Sequence, residues 1–147
     1  MKTYVVLCVA IIAIFMLNAT SLAQQASIEL QEKCAKQAKA AFDNMSFQDR
    51  TLASFSNHYN VKLNRCFIET EQDIVIYPSA PDIIWTYKFV TDAYEGKDFG
   101  SYSWHTVKDK KYWEVPPFQC NVTLPSGDEK TCKSSDEFDE LIKVYMQ

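Results

Sequence analysis

Histidines titrate near neutrality and often serve as general bases, so His58, in the stretch Ser56-Asn57-His58-Tyr59-Asn60, is the first residue of this chain able to do chemistry. A base needs a positioned nucleophile. No serine or cysteine nucleophile motif accompanies His58, which therefore reads first as a hydrogen-bonded or surface histidine. A small enzyme using His58 with acidic partners is the one enzymatic reading the sequence leaves. Asp92, Glu95 and Asp98 form a second cluster. Two carboxyl groups about 5 to 10 Å apart can cleave a glycosidic bond, but on a short turn such acids read as solvated charges. Two histidines, His58 and His105, without a close acidic cluster offer no metal-ligand pattern, and no cofactor motif is present.

The cysteines carry a stronger signal. Cys34, Cys66, Cys120 and Cys132 follow an N-terminal apolar run, and no pair has the C-x-x-C spacing of a zinc or redox site. An even number of cysteines in an exported chain reads as two disulfides. Pro125-Ser126-Gly127 suits a three-residue hairpin loop, with proline presetting φ and glycine free to turn left-handed. That loop sets Cys120 opposite Cys132, and Cys34 then pairs with Cys66 by elimination. The export signal is the run from Tyr4 to Leu17 behind a single lysine, Lys2, with small residues at Ser21 and Ala23 before the expected cut. Residues 1–23 are expected to be a signal peptide and residues 24–147 a single globular domain. The run is too short for a confident anchor, so no stable membrane insertion is expected after cleavage. Loss of Lys2 takes the formal net charge from −4 to −5, which argues against nucleic acid as a partner.

Around these residues the patterning predicts an α+β domain: an antiparallel sheet with an N-terminal and a C-terminal amphipathic helix. Ser27 is a candidate N-cap, and Cys34, Ala38, Ala41, Phe42 and Met45 then form a helical stripe. Ser134 with Glu137 reads as a capping box before Phe138, Leu141, Ile142 and Tyr145. Strands are expected at 60–69, 74–77, 83–91, 99–106, 118–124 and 129–133. In the first, Val61, Leu63 and Phe67 alternate on one face while Cys66 and Ile68 take the other, so either both faces are covered or a bulge near Asn64 switches them. A hairpin tip at Glu95-Gly96 would pair Phe89 with Tyr102 and Tyr87 with Trp104. Trp85, Tyr87, Phe89, Tyr102 and Trp104 would then share one face, the core layer beneath both helices, with His105 on the polar face. The aromatic residues outside that face, Tyr94, Tyr112 and Trp113, are the candidate contact surface, since Tyr and Trp combine apolar area with a polar tip.

The helix cysteine in "CAKQAKAAF", the strand "SNHYNVKLNRCF" and the hairpin "DAYEGKDFGSYSW" resemble a group of small exported bacterial proteins of unknown function. The resemblance covers residues 34 to 104. It implies a periplasmic or secreted location and suggests that Cys34 and Cys66 belong together; it brings no activity.

The expected function is that of an exported, non-catalytic binding or interaction domain, with a partner among envelope or extracellular proteins. The alternative is an inhibitor of a secreted or host hydrolase presenting the loop "LPSGDE". The exported form should begin at Gln24, and its intact mass checks this. A product that keeps residues 1–23 and partitions into membranes would mean an anchor instead.

Overall fold

The computed structural model describes residues 28–76 and 80–147. The apolar run, the expected cleavage site, the Ser27 cap and Tyr77 lie outside the described residues. Contacts divide the chain into Met1–Lys33 and Cys34–Gln147. In the first unit the described residues 28–33 open helix α1, with a Glu29–Lys33 ion pair at 2.9 Å.

Helix α1 spans residues 28–44. Cys34, Ala38 and Phe42 are buried at one-turn spacing, while Lys36 and Lys39 stay exposed. A 3₁₀ turn, Arg50–Leu52, capped by Asp49, leads into the sheet. Six strands follow: β1 Ala53–Asn60, β2 Arg65–Ile76, β3 Ala80–Asp92, β4 Asp98–His105, β5 Gln119–Thr123 and β6 Glu129–Thr131. They form one antiparallel sheet in sequence order. Helix α2, Ser135–Met146, closes the fold. Half of the expected capping box is formed, since Ser134 Oγ accepts from Glu137 N at 3.1 Å; the Glu137 carboxylate reaches one residue further back and accepts from Lys133 N at 2.7 Å, not from Ser134 N.

Two strand expectations need correction, besides the joining of the segments expected at 60–69 and 74–77 into one continuous β2. Asn60 does not begin a strand but ends one, β1, and residues 61–64 form a turn. Asn60 Oδ1 accepts from Leu63 N at 3.0 Å, and Asn64 takes a φ of 51°, a left-handed conformation that asparagine tolerates. The face switch near Asn64 is therefore this turn and not a bulge within one strand.

The second correction is the register of β3 and β4. Asp92 N donates to Lys97 O and Gly96 N to Asp92 O, so the loop is Ala93–Gly96, with Gly96 at φ 66°. Thr91 then faces Asp98, but Val90 faces Gly100, because Phe99 is an extra, bulged residue. Beyond the bulge Lys88 pairs with Tyr102 and Thr86 with Trp104, while Tyr87 pairs with Ser103 and Trp85 with His105. The aromatics are thus divided between the two faces, and they are not one core layer. Residues opposite each other share a face, so Tyr102 and Trp104 lie on one side and Trp85, Tyr87, Phe89 and His105 on the other.

The helices are divided too. On one face α2 lays Phe138, Ile142 and Tyr145 on Phe67, Val90, Tyr102 and Val122. On the other, Cys34, Ala38 and Phe42 of α1 pack on Tyr59, Cys66 and Ile68, covering β1 and the adjoining part of β2. Each layer has its own staple. Cys34–Cys66 ties α1 to β2, and Cys120–Cys132 bridges β5 to the residue after β6. The second follows from the predicted loop, since Asn121 faces Thr131 and Cys132 N donates to Cys120 O at 3.1 Å. Two disulfides fit an oxidising compartment. No helix among the described residues is long and apolar enough to cross a membrane.

Gly100 sits where α2 comes closest to the sheet: a Cβ there would meet the Phe138 ring at 3.2 and 3.3 Å and Ile142 Cγ2 at 3.5 Å. Gly100→Ala should cost about 1 to 3 kcal/mol by overpacking. Phe138→Ala should cost about 3 to 5 kcal/mol, whereas Phe89→Ala, on the other face and 38% exposed, should fall within about 0.5 kcal/mol of the parent. Denaturant midpoints order the three.

Candidate functional site

The acids of the β3–β4 turn do structural work. Asp92 is buried; its Oδ1 accepts from Tyr94 N at 2.9 Å and Glu95 N at 3.0 Å, and its Oδ2 accepts from Arg65 at 2.9 Å. Arg65 also binds Glu95 at 2.7 Å, and Asp98 accepts from Thr91 Oγ1 at 2.8 Å. All three carboxylates are engaged in holding the turn. His58 is half-buried on β1, facing Phe67 across the ladder, and no acid among the described residues hydrogen-bonds to it. No group of three His, Cys, Asp or Glu among them is placed to hold a metal ion.

One arrangement that the sequence did not reveal looks catalytic at first. Beneath the first turns of α2, Lys88 Nζ lies 3.0 Å from Ser135 Oγ and 3.0 and 3.3 Å from the Asp139 carboxylate, beside Glu71 and a cleft of about 280 Å³. Activating a serine requires a neutral amine. Burial pulls the Lys88 pKa down, but the hydrogen bond and charge of Asp139, with Glu71 and Glu69, outweigh it, and the ammonium is held above its usual range. Lys88 is a fixed cation that ties β3 to α2. Tyr102, whose hydroxyl lies 3.5 Å from that of Tyr112, is held neutral by burial first and by that neighbour second.

The three residues expected to make contacts are exposed but not together. Tyr94 is in the β3–β4 turn, whereas Tyr112 and Trp113 form a 3₁₀ turn, Tyr112–Glu114, beyond the opposite end of β4. With Pro116, Pro117 and Lys133 these two line a cleft of about 260 Å³. Tyr112 is also a structural residue, its ring standing edge-on to Trp104 at 4.9 Å.

The surface that sequence reasoning missed is the sheet face opposite α2. Its residues, by register, are Thr70, Gln72 and Ile74 of β2, Trp85, Tyr87 and Phe89 of β3, Ser101, Ser103 and His105 of β4, and Gln119, Asn121 and Thr123 of β5. None of these twelve is Asp, Glu, Lys or Arg. Glu69, Glu71, Asp73 and Lys88 fall on the α2 side, while Asp98, opposite Thr91 at the turn end of β4, and Glu129 of β6, opposite Thr123, stand at the margins of the uncharged face. Trp85 is the centre of the uncharged face. Tyr87 lies parallel to it at 6.0 Å, His105 stacks on it at 4.5 Å, and Phe118, three-quarters exposed, stands edge-on at 5.9 Å. Polar neutral groups border the rings: Ser101 Oγ donates to Asn121 Oδ1 at 2.9 Å, and Gln119 Nε2 donates to both. Gln72 Nε2 and His105 Nδ1 are buried without a partner among the described residues. The signal was present in the sequence: in "ETEQDIV" and "WTYKF" every charge sits on one parity and the aromatics of "WTYKF" on the other.

Burial raises the Glu69 pKa against the opposing pull of Lys88 and Ser56. A carboxyl whose folded pKa exceeds its unfolded value stabilises when protonated, and that contribution is lost as pH rises through the folded value. Glu69→Gln should therefore melt higher than the parent near neutrality. The gain should vanish below the ordinary carboxylate range, and paired melting curves at the two pH values check it.

No protein-family model matches this chain, and no curated protein and no solved structure is similar to it.

Proposed function

We propose that this chain is an exported, non-catalytic binding domain that holds its ligand on the uncharged aromatic face of the sheet. The observation that carries the reading is the segregation of charge. Strands on a solvated face ordinarily carry their charges there; β2 and β3 turn Glu69, Glu71, Asp73 and Lys88 to the α2 side and carry half-buried Trp85 and Tyr87 and exposed Phe89 on the other, where exposed Phe118 joins them. Exposed aromatic clusters mark interaction sites, and Tyr and Trp give large contact area for little loss of rotamer freedom. The fixed cation at Lys88 and the structural use of the turn carboxylates both weigh against an enzymatic reading. Two disulfides support residence outside the reducing cytoplasm.

The hydrolase-inhibitor reading keeps one supporting observation. The loop between Leu124 and Glu129 is exposed yet braced, with Gly127 N donating to Leu124 O and Leu124 N to Asp128 O, both at 2.8 Å, close to the Cys120–Cys132 bridge.

Immobilised protein challenged with envelope and culture-medium extracts separates these readings. Trp85→Ala and Phe118→Ala should keep the parent melting temperature and lose the bound material, while His58→Ala and Ser126→Ala retain it. Undiminished capture by Trp85→Ala sinks the reading, and loss on Ser126→Ala alone moves it to the loop.

A further inference from the structure

We propose that the ligand of this face is an uncharged carbohydrate. The inference rests on the binding reading above and names the class of molecule that the chemistry of the face selects. A ligand carrying phosphates, sulfates or uronic acids would meet a chain of formal net charge −4 with no Lys or Arg on the contact face to receive it. A cationic ligand would find carboxylates only at the margins of the face: Asp98, which already accepts from Thr91 Oγ1, and Glu129 on the edge strand β6. What the face does supply is apolar rings interleaved with neutral hydrogen-bonding groups. Pyranose sugars have the complementary composition: C–H surfaces on the two sides of the ring and hydroxyls around its rim.

The hydrogen-bonding capacity is there to be used. Among the described residues, Trp85 Nε1 and Tyr87 Oη have no partner. The Ser101–Gln119–Asn121 network engages Asn121 Oδ1 and Gln119 Nε2, leaving Asn121 Nδ2 as a donor and Gln119 Oε1 as an acceptor. Donors and acceptors of both kinds thus border the rings, as a hydroxyl that donates and accepts requires. The two unpartnered buried atoms flank the same pair of rings: Gln72 is opposite Tyr87 on one side, and His105 opposite Trp85 on the other.

A second copy of the chain is the competing occupant, and the polar half of the face speaks against it. The buried core of a homodimer interface is dominantly apolar, whereas face-to-face association here would seal Ser101, Gln119 and Asn121 against one another.

The test is a titration of the full chain with neutral hexasaccharides: α-linked and β-linked glucose, xylose and N-acetylglucosamine oligomers. It is read by indole fluorescence and by the ¹H–¹⁵N indole signals of the three tryptophans. We expect at least one series to bind with a Kd of about 0.01 to 1 mM, moving the Trp85 signal. Trp85→Ala should weaken binding by about tenfold or more, and Trp113→Ala, off this face, should leave it unchanged. The proposal is overturned if no hexasaccharide binds up to about 10 mM, or if Trp85→Ala binds like the parent while remaining folded. Sedimentation of the free protein distinguishes the two levels of failure. Self-association abolished by Trp85→Ala, with no sugar bound, overturns the carbohydrate and keeps the face as a binding surface; the absence of both overturns the face as well.

Discussion

One extra residue in β4 decides which way the sheet presents itself. Side chains alternate along a strand, so a one-residue shift moves every residue beyond it to the opposite face. The four-residue loop closed by Asp92 and Lys97 would, without the bulge, align Tyr87 with Tyr102 and Trp85 with Trp104, placing all their rings together. Phe99 interrupts that alignment. Its ring packs on Phe67 at 5.5 Å and Tyr145 at 5.1 Å, so bulged Phe99 and the following Gly100 both look toward α2. The close approach of Phe138 and the placement of Trp85, Tyr87 and Phe89 on the side away from α2 follow from that single insertion.

Much of the fold was legible because local rules and tertiary packing agree. The α2 stripe, the Ser134 cap and the Pro125–Gly127 loop each needed only nearby residues, and the last fixed the Cys120–Cys132 pairing. The first helix read equally well from Cys34, Ala38 and Phe42. Where the reading failed, the deciding interaction was not local. Gly100 is the one local hint of a bulge, since an isolated glycine inside a strand often marks one; the contacts that hold Phe99 in place, Phe67 and Tyr145, are on other elements. β1 escaped notice because "ASFSNHYN" is mostly small and polar, and its order comes from pairing with β2 and cover from α1.

The uncharged aromatic face is hidden in the sequence for a related reason. Grouping bulky aromatics as core is sound when charges mark the outside, but Lys88 is charged and mostly covered, satisfied by Ser135 and Asp139 from a helix some fifty residues on. A lysine with its ion-pair partner supplied by tertiary structure is indistinguishable in sequence from a solvated one. The dispersed contact residues illustrate the converse: Tyr94, Tyr112 and Trp113 were correctly placed in exposed connections, but exposure did not gather them into one surface.

Asn60 gives the fold a temporal character. Its side-chain amide donates to Val144 O at 2.9 Å and to Tyr145 O and Gln147 O at 3.3 Å, so the last carbonyls of α2 are capped from the first strand, 84 to 87 residues away. Contacts of such long sequence separation form late, since the loop they close costs entropy before it returns any. A growing chain has neither the cap nor the apolar lid of α2 until residues 144–147 have emerged. The helix that covers one side of the sheet is therefore among the last elements to dock, and until it does Phe67, Val90, Tyr102 and Val122 lack their apolar cover.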